Sequence, residues 1–139
     1  MRKVILFAVF FFTAYICCGQ NIQKGSLLGM HVLSIELKPG ATMDQFIDFY
    51  ISHAIPEAEK AFDGVKGYLV KGIRGENNKS IGVLWVFRTE ADRNRYFTDE
   101  GEGGMTAAGR TAMEKLTEVN KEIEKFGTAS SKYTDWLVQ

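Results

Sequence analysis

From residue 30 to 38 apolar and polar positions alternate. His31, Leu33, Ile35 and Leu37 fall on one side and Val32, Ser34, Glu36 and Lys38 on the other, which predicts a strand that Pro39-Gly40 closes. Thr42 with Gln45 three residues on is a capping-box signature, and Met43, Phe46, Ile47, Tyr50, Ala54, Ala58 and Ala61 then recur at helical spacing. Pro56 lies inside that helix without an N–H for the residue 52 carbonyl, so a kink or break is expected near His53. After Asp63-Gly64, residues 65–73 read as a second strand, weakened by Gly67 and Gly72, and residues 75–79 supply turn chemistry. Residues 81–88 are apolar on both faces, the mark of a central strand. Thr89 with Asp92 predicts another cap and a short helix over residues 90–97, ended by the acidic, glycine-rich stretch 98–104. A helical period resumes from Met105 through Ala112, Leu116, Ile123 and Phe126, with Gly127 at the C-cap position. Alternation over residues 133–138 predicts a last strand.

The predicted order is strand, helix, strand, strand, helix, strand. That is the α+β, ferredoxin-like βαββαβ arrangement, with a four-stranded antiparallel sheet whose first and third strands are central. Two helices cover only one face of such a sheet. Leu84 with Val86 or Trp85, and Trp136 with Val138, must also face the other side, and a second copy packed sheet to sheet is the economical cover. A homodimer is therefore expected.

The first residues follow a different rule. Arg2 and Lys3 precede an uncharged apolar run over residues 4–16, which meets the small residues Cys17, Cys18 and Gly19. This pattern predicts a secretory signal peptide over residues 1–19, a flexible arm over 20–29 and one domain over 30–139. The apolar run is shorter than the roughly 20 residues of a spanning helix, so no stable membrane insertion is expected after cleavage. The expected location is periplasmic or secreted, with lipoprotein anchoring at Cys17 or Cys18 the lesser alternative.

Composition narrows the chemistry. Seventeen Lys plus Arg balance seventeen Asp plus Glu, and loss of Arg2 and Lys3 leaves 15 against 17, so there is no electrostatic footprint for nucleic acid. Both cysteines lie in the leader, which excludes disulfides, thiolate nucleophiles and Cys-zinc sites from the mature domain. Stability must come from the core. Hydrophobic residues at 45% and charged residues at 24% are globular values that argue against long disorder.

Several segments carry a family resemblance: Leu37-Lys38-Pro39-Gly40; Phe46, Phe49, Tyr50, His53 and Pro56; Gly64-Val65-Lys66-Gly67-Tyr68; and Trp85-Val86-Phe87-Arg88-Thr89-Glu90. On these the chain resembles the dimeric α/β-barrel superfamily, which includes antibiotic-biosynthesis monooxygenases and ether-degradation proteins. The resemblance implies a sheet-to-sheet dimer and a ligand held between sheet and helices. Haem-degrading members carry an Asn, a Trp and a His where this chain has Val32, Tyr96 and Thr106, so haem degradation is disfavoured.

No catalytic triad, cofactor loop or metal set is legible, and no cofactor is expected. His53 is the candidate catalytic base, set against a structural role in which backbone carbonyls freed by Pro56 hold its ring. Tyr50, His53, Trp85 and Tyr96 are the expected ligand-binding residues, set against their use as core aromatics. His53 and Glu57 share a helix face, but no third ligand accompanies them, and no metal site is expected. His31 reads as a structural histidine on the apolar face. Two functions follow: binding of a small apolar or aromatic molecule, or a cofactor-independent monooxygenase or isomerase reaction on one.

Overall fold

The computed structural model describes residues 22–99 and 104–139; the expected leader and residues 100–103 of the glycine-rich loop lie outside them. Four strands form one antiparallel sheet: β1 (Leu27–Leu37), β2 (Val65–Lys71), β3 (Ile81–Phe87) and β4 (Gly127–Leu137), in the order β2-β3-β1-β4. This is the ferredoxin-like order, with β1 and β3 central. The register puts Gly67, Trp85, Gly29 and Asp135 in one row across all four strands.

Two elements exceed their predicted bounds. β1 begins at Leu27, so it takes in the last residues expected to be a flexible arm, and Val138 N–H donating to the Ser26 carbonyl at 2.9 Å carries the pairing outward. β4 begins at Gly127 instead of residue 133, because backbone pairing with β1 runs the full length from Gly127 opposite Leu37 to Leu137 opposite Leu27. Its first half, Thr128 to Lys132, lacks the apolar alternation that marks a strand in sequence. Gly127 is no left-handed cap: its φ of 169° is extended, and a Cβ there would stand 3.0 Å from the Leu37 Cα. The last helix therefore turns directly into the edge strand.

Helix one is continuous but irregular. α1 (Met43–Phe49), closed at its start by the reciprocal Thr42 and Gln45 box, passes through a π-helical turn at Tyr50–Ala54 into α2 (Ile55–Ala61). The Ile55 N–H reaches back five residues to the Tyr50 carbonyl, so the ladder widens just ahead of Pro56 where a break was expected. The second helical region is divided. α3 (Glu90–Asn94) stops short of Tyr96, and the long helix splits at Leu116 into α4 (Ala107–Lys115) and α5 (Thr117–Phe126). Leu116 adopts φ −91° and ψ 1°, and the Thr117 hydroxyl donates to the Glu114 carbonyl at 2.8 Å.

All the helices lie on one face. Leu27, Val65 and Phe87 from the sheet pack there against Ala58, Ala61, Phe62, Tyr96, Ala112 and Leu116, forming the main buried cluster. The opposite face carries Leu28, Met30, Val32, Val70, Leu84 and Val86, with Tyr68 47% and Trp136 61% exposed. Among the described residues no helix is long and apolar enough to cross a membrane.

Candidate functional site

A cavity of about 510 Å³ lies between the sheet and the helices, within the range of roughly 300–1,000 Å³ typical of small-molecule sites. Its floor is the helix-facing row of each inner strand: Gly29, His31 and Leu33 from β1, and Val83, Trp85 and Phe87 from β3. Tyr50, Ala54 and Ala58 come from helix one, and Met113, Leu116, Val119, Asn120 and Ile123 from α4 and α5. Phe97 and Met105, which pair as an isolated bridge, flank it, and Ser131, Tyr133 and Asp135 enter from β4. Most of this surface is hydrocarbon, so the few polar groups decide what it can recognise.

The main polar group is a network around Arg93, whose side chain on α3 is only 9% exposed. Its Nε donates to Asp135 Oδ2 at 3.1 Å, one terminal nitrogen donates to the Tyr133 hydroxyl at 3.0 Å, and the other to the Thr98 carbonyl at 2.9 Å. The Tyr133 hydroxyl in turn donates to Asp135 Oδ2 at 3.2 Å. Phe97 stacks under the guanidinium, 5.6 Å from its ring centroid. A charge this deeply buried is tolerable only because carboxylate, phenol and carbonyl together satisfy it. Beside the network the His31 ring stacks on Tyr133 at 5.1 Å, with Nδ1 3.2 Å from Ser131 Oγ.

Tyr50 lines the cavity from the π-helical turn, its ring 5.5 Å from that of Phe46. Burial away from water pushes its phenol above the usual tyrosine range, because the low-dielectric wall disfavours the phenolate. The widened turn also decides what happens to His53. In a regular turn the residue three beyond Tyr50 shares its face, but where hydrogen bonds span five residues it lies farther round, while Ala54 keeps the inward position. His53 accordingly is exposed, stacks on Phe49 at 4.9 Å and has Nδ1 2.7 Å from Ser52 Oγ.

Of the four residues expected at the site, the structure brings Tyr50 and Trp85 together on the cavity and leaves His53 and Tyr96 off it. Tyr96 is 5% exposed, sits in the core edge-on to Phe62, and its hydroxyl accepts from the Asp63 N–H at 2.9 Å. Glu57, the metal partner considered for His53, pairs with Lys60 at 2.7 Å. Among the described residues no group of three or more His, Cys, Asp or Glu is arranged to hold a metal ion. His31, Arg93, Asn120, Tyr133 and Asp135 line the cavity without having been singled out as ligand contacts. For Tyr133 and Asp135 the signal was present, since alternation puts both on one face of the last strand. Arg93 in a short polar helix gave none.

No protein-family model matches the chain, and no curated protein does. Among solved structures it is similar to a NIPSNAP family protein with unknown function from Agrobacterium tumefaciens, at 12% identity and a TM-score of 0.49, covering 84% of this chain and 93% of that one. An uncharacterized NIPSNAP-like domain protein from Burkholderia xenovorans is 13% identical with a TM-score of 0.46, covering 84% and 88%. A dimeric protein of unknown function and ferredoxin-like fold from Bacteroides fragilis is 14% identical with a TM-score of 0.42, covering 82% and 97%. At such identities these likenesses say nothing of activity or ligand.

Proposed function

We propose that this chain is an exported, homodimeric domain that binds a small apolar or aromatic molecule between its sheet and its helices, with Tyr50 and Trp85 among the contacts. The observation that carries this reading is the cavity of about 510 Å³, walled mostly by aliphatic and aromatic side chains and furnished with a few polar groups. A concave, mostly apolar surface of this size with a few convergent polar groups is the usual form of a small-molecule site. Export rests on the leader pattern of residues 1–19, and intact-mass analysis of the exported form should find a chain that begins at Gln20 and contains no cysteine. Retention of Cys17 or Cys18 would contradict it.

The binding claim is tested by titrating an environment-sensitive aromatic dye into wild-type protein and into Ala54→Leu. Ala54 faces the cavity from the π-helical turn, so the larger side chain fills ligand space. Dye affinity should fall by about tenfold or more, at a stability cost of about 1–3 kcal/mol that leaves the protein folded. Unchanged affinity would place the dye elsewhere. A cofactor-independent oxygenase or isomerase is the second reading, favoured by the Tyr133 hydroxyl held between Arg93 and Asp135 in a mainly apolar cavity. Conversion of the bound molecule on incubation in air would support it.

A further inference from the structure

Asp135 reaches the cavity from edge strand β4 with its two carboxylate oxygens in different surroundings. Oδ2 accepts from both Arg93 Nε and the Tyr133 hydroxyl. Oδ1 has no hydrogen-bond donor among the described residues, and it stands over the bare backbone of Gly29, where a Cβ would lie 3.1 Å from it. Both residues line the cavity, and the Asp135 side chain keeps 25% of its surface accessible.

We infer that Asp135 Oδ1 is the point of selectivity in this cavity and that the molecule it selects carries a neutral hydroxyl group. The inference rests on the proposed binding function and names the chemistry of the ligand. A carboxylate oxygen facing an apolar wall loses its hydration when a ligand displaces water, and a ligand without a donor leaves that acceptor unsatisfied. An alcohol or phenol restores the hydrogen bond. An ammonium group would meet the Arg93 guanidinium in the same network, and an anion would meet Oδ1 itself, so a neutral donor satisfies both neighbours. A site built to receive a hydroxyl discriminates strongly against the analogue that lacks it. Glycine at position 29 belongs to the same device, because a Cβ there would lie 3.1 Å from Oδ1 and crowd the approach of a donor to it.

The test compares 1-naphthol with its methyl ether by isothermal titration against wild-type protein, Gly29→Ala and Asp135→Asn. These probes share one aromatic body and differ in the donor. Wild type should prefer the naphthol by about tenfold or more, and Gly29→Ala should reduce the preference to about threefold or less by shielding Oδ1. In Asp135→Asn the carbonyl oxygen turns to Arg93 and Tyr133, both donors, which leaves the amide NH₂ facing the cavity; either probe's oxygen can accept from it, so the preference should be lost. Equal binding of the two probes by wild type, or an undiminished preference in Gly29→Ala, would overturn the inference while the binding function stood. Failure of both probes to bind wild type would remove the two together. The wild-type ratio decides the matter even if a variant does not fold.

Discussion

The indole of Trp85 lies across the bare backbone of Gly67, its registered neighbour on β2: a Cβ on Gly67 would fall 2.9 Å from Trp85 Cε3 and 2.9 Å from Ile55 Cγ2. Gly29 stands on the other side of Trp85 in the same row, and beyond it Asp135. A large ring between two glycines can lean to one side without strain. Here it leans over Gly67, which leaves the Gly29 side open to Asp135. The row thus sets both the aromatic wall and the polar end of the cavity.

Gly67→Ala should cost about 1–3 kcal/mol of stability, since the added methyl group displaces both Trp85 and Ile55 from packed positions. Thermal unfolding followed by circular dichroism measures it, with altered Trp85 fluorescence as the local readout. An unchanged melting temperature would mean that the ring has room to move away.

Tyr50 predicts an alkaline effect. Burial raises its folded-state pKa, so the folded chain holds the phenolic proton more tightly than the unfolded chain does. Stability from this group is present in full below the unfolded tyrosine value of about 10 and is lost as pH rises from there through the folded value. Tyr50→Phe should therefore flatten the fall in stability above about pH 10 in denaturant titrations. An equally steep fall in the variant would assign that loss to other groups.

Arg93 and Asp135 should behave as a unit. Arg93→Met leaves the Asp135 carboxylate and the Tyr133 hydroxyl without their main donor and should cost about 2–3 kcal/mol, the partial exposure of Asp135 holding the figure below that of a fully buried pair. Adding Asp135→Leu should recover most of the loss, because an unpaired charge costs more than an apolar replacement of the pair. A double variant as unstable as the sum of its single changes would show that the two residues are not coupled.

The strands and the first helix were legible because their patterns are local: alternation over β1, two-sided apolarity over β3, and the Thr42 and Gln45 box before helix one. What escaped depends on partners distant in sequence. Residues Thr128 to Lys132 form a strand only because β1 offers a complete backbone ladder. His53 was placed by a 3.6-residue period that the π-helical turn does not follow, and Tyr96 lies on a turn, not a helix, with its hydroxyl held by the Asp63 backbone. The importance of Arg93 arises from Asp135 and Tyr133, some 40 residues on, and no local rule joins them. Tyr50 was accessible to sequence reasoning as an aromatic on the inward stripe of helix one, whereas the two-sided apolarity of β3 left open which face Trp85 takes.

The open sheet face predicts association. Trp136 and Tyr68 are the most exposed aromatics on it, among half-buried aliphatic side chains of β1, β2 and β3. Light scattering at micromolar concentration should give the mass of two chains, and Trp136→Asp should shift it toward one by placing a charge at the contact. A single-chain mass for the unmodified protein would contradict the sheet-to-sheet homodimer.

If the space between sheet and helices holds a small, mainly apolar molecule, a crystal of the protein soaked with 1-naphthol will show it there. Ring density should appear against Trp85 and Tyr50, with the hydroxyl oxygen within hydrogen-bond distance of Asp135 Oδ1. Density on the open sheet face, or a cavity closed by repacked side chains with no bound ring, would contradict it.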